Sequence, residues 1–194
     1  MTNIIVFDTE TTGLPIRTQY GGFYKPSNII KYSTCRLIEL GYYIYSHDGN
    51  EIGHKNFIVK PSNFIINNHD IHGITHTYAF ENGTNLETIL FEFLADLRDA
   101  NTIIGHNITF DINTVLSECY RHTNISPYIN IINILNKINK ICTISLAFKK
   151  LKLSHRIKLL DLYKLLFNTE WNQTHRAEDD ARICALCYWH LQKL

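Results

Sequence analysis

Proline and glycine are scarce in this chain, four and nine in 194 residues, which excludes a collagen-like repeat and a disordered low-complexity chain. Neither charge sign dominates. With 19 Lys+Arg against 18 Asp+Glu, a polycation that holds nucleic acid by bulk charge is excluded, and any such contact must be local. No apolar run approaches the roughly 20 residues that a membrane-spanning helix needs. The opening Met-Thr-Asn-Ile-Ile-Val-Phe-Asp has neither a basic segment nor a small-residue cleavage site. The five cysteines are an odd number scattered through apolar surroundings, which does not read as a disulfide framework. An intracellular protein of a reducing compartment, cytoplasm or nucleus, with no membrane contact, is the expectation. Cys184 and Cys187 have a spacing that can bind zinc, but their neighbours describe a helix and no matching second pair lies nearby, so they read as thiols packed on a helix face. There is no internal repeat and no linker, and 45% hydrophobic residues suffice for one core, so residues 1–194 are expected to form a single domain.

Residues 3–7, Asn-Ile-Ile-Val-Phe, form a short unbroken apolar run typical of a central strand buried on both faces. Residues 36–45 and 51–59 read as an antiparallel hairpin around His47-Asp48-Gly49-Asn50. Thr84-Asn-Leu-Glu87 is a capping-box pattern opening a helix with apolar positions from Leu86 to Leu97. A short strand over 102–105 and a helix over 109–120 follow, and the Ile and Asn alternation after Ser126-Pro127 suggests another helix. Helices are predicted over 143–151, 155–167 with Ser154 as N-cap, and 174–192. A hairpin, alternating strands and helices, and a helical last third describe an α/β domain with a mixed sheet.

Three segments carry chemistry. In Asp8-Thr-Glu10-Thr-Thr-Gly13-Leu14, residues two apart on a strand share a face, so two carboxylates stand together. Their repulsion is relieved by a cation between them, and such hard oxygen ligands suit Mg²⁺ or Mn²⁺; a solvated strand end is the plain alternative. In Gly105-His-Asn-Ile-Thr-Phe-Asp111, Asp111 falls in a first helical turn, where the dipole favours an anion in any case. In His175-Arg-Ala-Glu-Asp-Asp180, a histidine can face the same cleft as a carboxylate one turn on, although acids at a helix start are common in their own right.

Taken in order, these segments resemble the three motifs of the DnaQ-like 3′→5′ exonuclease superfamily, in the subgroup named for four acidic residues and a histidine (DEDDh). Ile71-His-Gly-Ile-Thr75 and Cys142-Thr143 are similar to lesser family features. The resemblance implies a ribonuclease-H-like α/β fold, a mixed five-stranded sheet with one antiparallel strand and helices on both faces. It implies two divalent cations, Mg²⁺ or Mn²⁺, held by Asp8, Glu10, Asp111 and Asp180, with His175 deprotonating the attacking water. It further implies that Leu14 wedges against the terminal base, that backbone near Thr11 and the side chains of His72 and Asn107 meet the terminal nucleotide, and that Phe110 packs beside it. The expected activity is removal of nucleoside 5′-monophosphates from a 3′ end of nucleic acid, DNA first and RNA as the rival, with a polymerase as a further partner. A silent polymerase-accessory module is the other rival, and all five functional positions being filled argues against it.

Two features depart from compact members of that superfamily. The segment between Pro15 and Arg36 is long and carries Tyr20, Phe23, Tyr24, Lys25 and Tyr32, a mixture able to stack bases and meet phosphates or simply to pack on the domain. Lys149, Lys150, Lys152, His155, Arg156 and Lys158 form the densest positive run, read as a solvated face in preference to a backbone track. Abundant Ile, Asn, Lys and Tyr fit an A/T-rich genome, such as a viral one.

Overall fold

The computed structural model describes residues 2–122, 125–172 and 174–194. Its centre is β1 (Asn3–Thr11), whose apolar first half is buried on both faces. The hairpin strands β2 (Leu37–Tyr45) and β3 (Glu51–Ile58) lie on one side of β1. Two short helices, α1 (His69–His72) and α2 (His76–Asn82), and the longer α3 (Leu86–Arg98) lead to β4 (Ala100–Gly105) on its other side. Then come α4 (Thr109–Tyr120), α5 (Ser126–Lys137), β5 (Asn139–Cys142), α6 (Thr143–Leu151), α7 (Leu159–Phe167) and α8 (Ala177–Gln192).

The sheet order is β3-β2-β1-β4-β5. β1, β4 and β5 are parallel, and β2 is antiparallel to both neighbours, so β2 alone runs against the other four, as expected. Alternation along β1 divides the core. Ile5 and Phe7 pack with α3, α4 and α5 on one face, and Ile4 and Val6 with α6, α7 and α8 on the other. The chain turns away from β1 in both directions, so the crevice beyond the C-terminal ends of β1 and β4 is the topological switch point where α/β sheets place their sites.

The structure corrects several local readings. β1 continues through Asp8 and Glu10 to Thr11, paired with β2 throughout. Thr84 does not cap α3. Its backbone instead bridges Ile58 and Lys60 (2.8 Å for both hydrogen bonds), and Asn85 takes the N-cap position. Residues 155–158 are not helical, because tertiary bonds to Arg156 and Ile157 hold them outside α7, and Lys158, not Ser154, stands at its N-cap. α8 starts at Ala177 rather than 174. The fifth strand, β5, had no segment assigned to it from sequence. All five cysteines are free, and Cys184 and Cys187 are buried on α8 with thiols pushed up by burial, Cys187 to about 12. Among the described residues no helix is long and apolar enough to cross a membrane.

At Gly41 the sheet approaches the start of α8 closely. A Cβ there would stand 2.3 Å from the Glu178 nitrogen and 2.5 Å from the Ala177 carbonyl carbon, both backbone atoms. Only glycine lets β2 meet the start of α8 this closely. Gly41→Ala should therefore lower stability by about 1–3 kcal/mol, as overpacking does, and reduce activity by pushing the first turn of α8 outward. Thermal denaturation and a nuclease assay check both, and an unchanged melting temperature would contradict the close packing.

Candidate active site

Asp8 and Glu10 lie on the face of β1 that also carries Ile4 and Val6, towards α8, whose first turn supplies Asp180. One carboxylate oxygen from each of the three lies within 4.8 Å of the others. Asp111 arrives from the opposite layer, at the start of α4, and is only 2% exposed. Thr9 fixes it: the Thr9 backbone N–H donates at 3.2 Å and the Thr9 hydroxyl at 2.7 Å to Asp111 Oδ1. Because Thr9 points to the other face of β1 from Asp8 and Glu10, the strand end gathers acids from both layers.

The electrostatics are those of buried carboxylates crowded together. Burial, then the neighbouring Asp111, Asp180 and Glu10, push the Asp8 carboxyl well above the usual carboxylate range. Glu10 is raised to about 8 by burial, with Asp180, Glu39 and Asp111 adding to it and Arg176 opposing. Burial raises Asp111 to about 7 in spite of the hydrogen bonds from Thr9. Bringing such groups together is unfavourable unless a cation is held, and an all-oxygen donor set suits a hard divalent ion. The residues therefore fit the expected metal.

Residues 5–188 match the exonuclease family RNase_T. The chain belongs to that family. The match bears out the expected DnaQ-like exonuclease superfamily. No curated protein matches. Among solved structures, E. coli Exonuclease I in complex with a dT13 oligonucleotide superposes with a TM-score of 0.70 at 17% identity, over 100% of this exonuclease and 41% of that chain. Exonuclease I of Methylocaldum szegediense gives 0.72 at 16% identity with the same coverage. S. pombe Pop2p in its Mg²⁺- and Mn²⁺-bound form gives 0.70 at 16% identity, over 98% of this exonuclease and 82% of that chain. At these identities the likeness is one of fold, and the exonuclease spans about two-fifths of the length of the Exonuclease I chains.

His175 lies five residues before Asp180, exposed, at φ 50°. A left-handed backbone is uncommon for a residue with a Cβ and marks a local constraint. Leu14 is 67% exposed near the end of β1. Backbone groups around Thr11 are largely used inside the fold: its carbonyl accepts from Asn68 Nδ2 (2.9 Å), and the next amide donates to Arg36 (3.0 Å). His72, 2% exposed, accepts the Ile74 N–H at Nδ1 (3.1 Å), while its Nε2 is buried with no protein partner. Asn107, also left-handed at φ 69°, accepts from Arg156 at Oδ1 (2.9 Å). Phe110 packs on Phe23 of the long segment, ring centroids 6.1 Å apart.

The aromatic segment divides. Tyr32 is core, its hydroxyl bonded to the Tyr24 carbonyl (2.7 Å), whereas Tyr20 is 89% exposed. Phe23 lies between Phe110 and the Arg17 guanidinium, which sits 3.8 Å from the ring centroid. With Arg17, Asn107, Phe148 and Arg156, Phe23 lines a groove of about 530 Å³. In the basic run, the lysines are exposed and Arg156 alone is drawn to this groove. His106, inside the second motif, is structural: burial lowers it to about 4, so as a neutral imidazole it accepts from Thr143 (2.8 Å) and donates to the Ile157 carbonyl (3.1 Å).

Sequence reasoning missed Thr9, Glu39 and Asp179. Glu39 is 0% exposed on β2, opposite Glu10, and accepts from Arg176 Nε (3.0 Å), the Ala177 N–H (2.9 Å) and Asn56 Nδ2 (2.9 Å). A lone acid inside the apolar run Leu37-Ile-Glu39-Leu was the available signal, since unpaired buried charge is too costly to persist.

Proposed function

We propose that this exonuclease releases nucleoside 5′-monophosphates one at a time from the 3′ end of DNA, preferring single strands. The meeting of Asp8, Glu10 and Asp180 within 4.8 Å, beside the tethered Asp111, carries the reading. These four carboxylates hold two divalent cations, Mg²⁺ or Mn²⁺, which when bound stabilise charge on the attacking and departing oxygens of an in-line displacement. His175 accepts the proton of the attacking water on its imidazole lone pair. Thr9 orients Asp111, Leu14 wedges against the terminal base, and Asn107, Phe110, His72 Nε2 and the strand end at Thr11 contact the terminal nucleotide. The dT13 bound to E. coli Exonuclease I supports single-stranded DNA as substrate, and the ions bound to S. pombe Pop2p support Mg²⁺ or Mn²⁺. A duplex end must be unstacked before one phosphodiester can enter such a site, at a cost of a few kcal/mol that an unpaired end avoids. The test is degradation of end-labelled single-stranded DNA, duplex DNA and RNA with either metal. Shortening from the 3′ end, fastest on single-stranded DNA, is expected, and faster loss of RNA would transfer the substrate assignment to RNA.

Phe23 and Phe148 offer stacking surface, and Arg17 and Arg156 positive charge, along the groove beside Asn107. Stacking contributes roughly 1–3 kcal/mol per base, so Phe23→Ala should raise KM on single-stranded DNA about tenfold with a smaller change in kcat, because binding is removed away from the reacting phosphate. An unchanged KM would leave the segment as packing only.

A further inference from the structure

We infer that Glu39 and Asp179 are positioning residues that hold the His175 segment from its two sides, an inference that rests on His175 being the base. Residue 176 is held through the Arg176 guanidinium, which donates from Nε at 3.0 Å and also from Nη2 to the buried Glu39, and the next amide, of Ala177, joins the same carboxylate. Residue 174 is held by Asp179. Its carboxylate accepts the Thr174 N–H (3.1 Å) and hydroxyl (3.2 Å), and it is itself oriented by Trp171 Nε1 at 3.0 Å. His175 lies between the two anchors in its left-handed conformation, which persists only where the surroundings over-determine it.

The two anchors belong to different elements. Glu39 is part of β2, two residues before Gly41, where the strand touches the α8 backbone; Asp179 is in the first turn of α8, next to Asp180. The segment is thus referenced both to the sheet that carries Asp8 and Glu10 and to the helix that carries Asp180. A base must come within hydrogen-bond reach of the water it deprotonates, and an error of about 1 Å is enough to slow such a step a hundredfold.

The test is a double-mutant cycle on end-labelled single-stranded DNA at saturating Mg²⁺, with folding followed by thermal denaturation. Asp179→Ala and Glu39→Gln should each lower kcat about 10–100-fold with KM changed less than threefold. Asp179→Asn, which retains an oxygen acceptor for Thr174, should recover most of the rate. In a His175→Ala background, Asp179→Ala should slow the enzyme less than threefold further, because the group it positions is already gone. If Glu39→Gln fails to fold, the Asp179 arm decides. Wild-type kcat in Asp179→Ala, or its full factor persisting on top of a slow His175→Ala, overturns the inference while leaving the base assignment standing. A His175→Ala enzyme as fast as wild type overturns the base assignment, and this inference with it.

Discussion

Asp8→Asn should produce a protein that melts at a higher temperature than wild type when metal is absent, yet hydrolyses nothing. Folding makes Asp8 harder to ionise, through burial and then the charges of Asp111 and Asp180. The folded protein therefore holds that proton more tightly than the unfolded chain does. The stability this gives is complete below the unfolded value near 4 and is lost as pH rises through the higher folded one. Glu10, raised to about 8, and Asp111, raised to about 7, act in the same direction. Metal-free wild type should thus lose melting temperature between about pH 4 and pH 8 from this cluster. The neutral amide removes the cost of burying a carboxyl that must either take up a proton or repel its neighbours, on the order of 1–3 kcal/mol at pH 8, and at roughly 2–4 °C per kcal/mol for a chain of this size the gain is several degrees. Mn²⁺ or Mg²⁺ should raise the wild-type melting temperature more at pH 8 than at pH 5 and do little for the variant. Turnover should fall by at least about 10³-fold, as when a stabiliser of developing charge is removed. Residual cleavage near the wild-type rate, or a metal-free melting temperature no higher than wild type at pH 8, would defeat the assignment.

The second large effect is that of His175→Ala, for which kcat should drop about 10²–10⁴-fold while divalent ions still raise the melting temperature, since no carboxylate has been removed. Protons competing with metal for the carboxylates should give an acid limb in wild type and variant alike, one that moves with metal concentration. An alanine variant with an unchanged rate would exclude His175 as the base.

The clustering of the carboxylates was legible because strand and helix periods decide which side chains share a face. Asp8 and Glu10 on a period of two, and Asp180 at a helix start, come together as the pattern implied. What escaped was set by contacts distant in the chain. Thr84 has the composition of a cap, but the bridge to residues 58 and 60 claims its backbone. Ser154 signals a helix start, yet His106 and Asn107, about fifty residues earlier, hold 156 and 157 in another conformation. Glu39 looks like an interruption in a strand until Arg176, 137 positions later, is seen beside it. The aromatics of the long segment were readable as a class but not individually, because burial of Tyr32 and exposure of Tyr20 depend on where the segment docks.

The acids that crowd the end of β1 come from the strand itself, Asp8 and Glu10, and from the helical layer on either side, Asp111 and Asp180. Neither layer assembled by itself can complete the set. On the metal-ligand assignment proposed above, a chain truncated before Asp180 lacks one carboxylate of the set and should not cleave. On the same assignment, loosening either helical layer against the sheet should abolish cleavage, because each layer holds an acid that the other cannot supply.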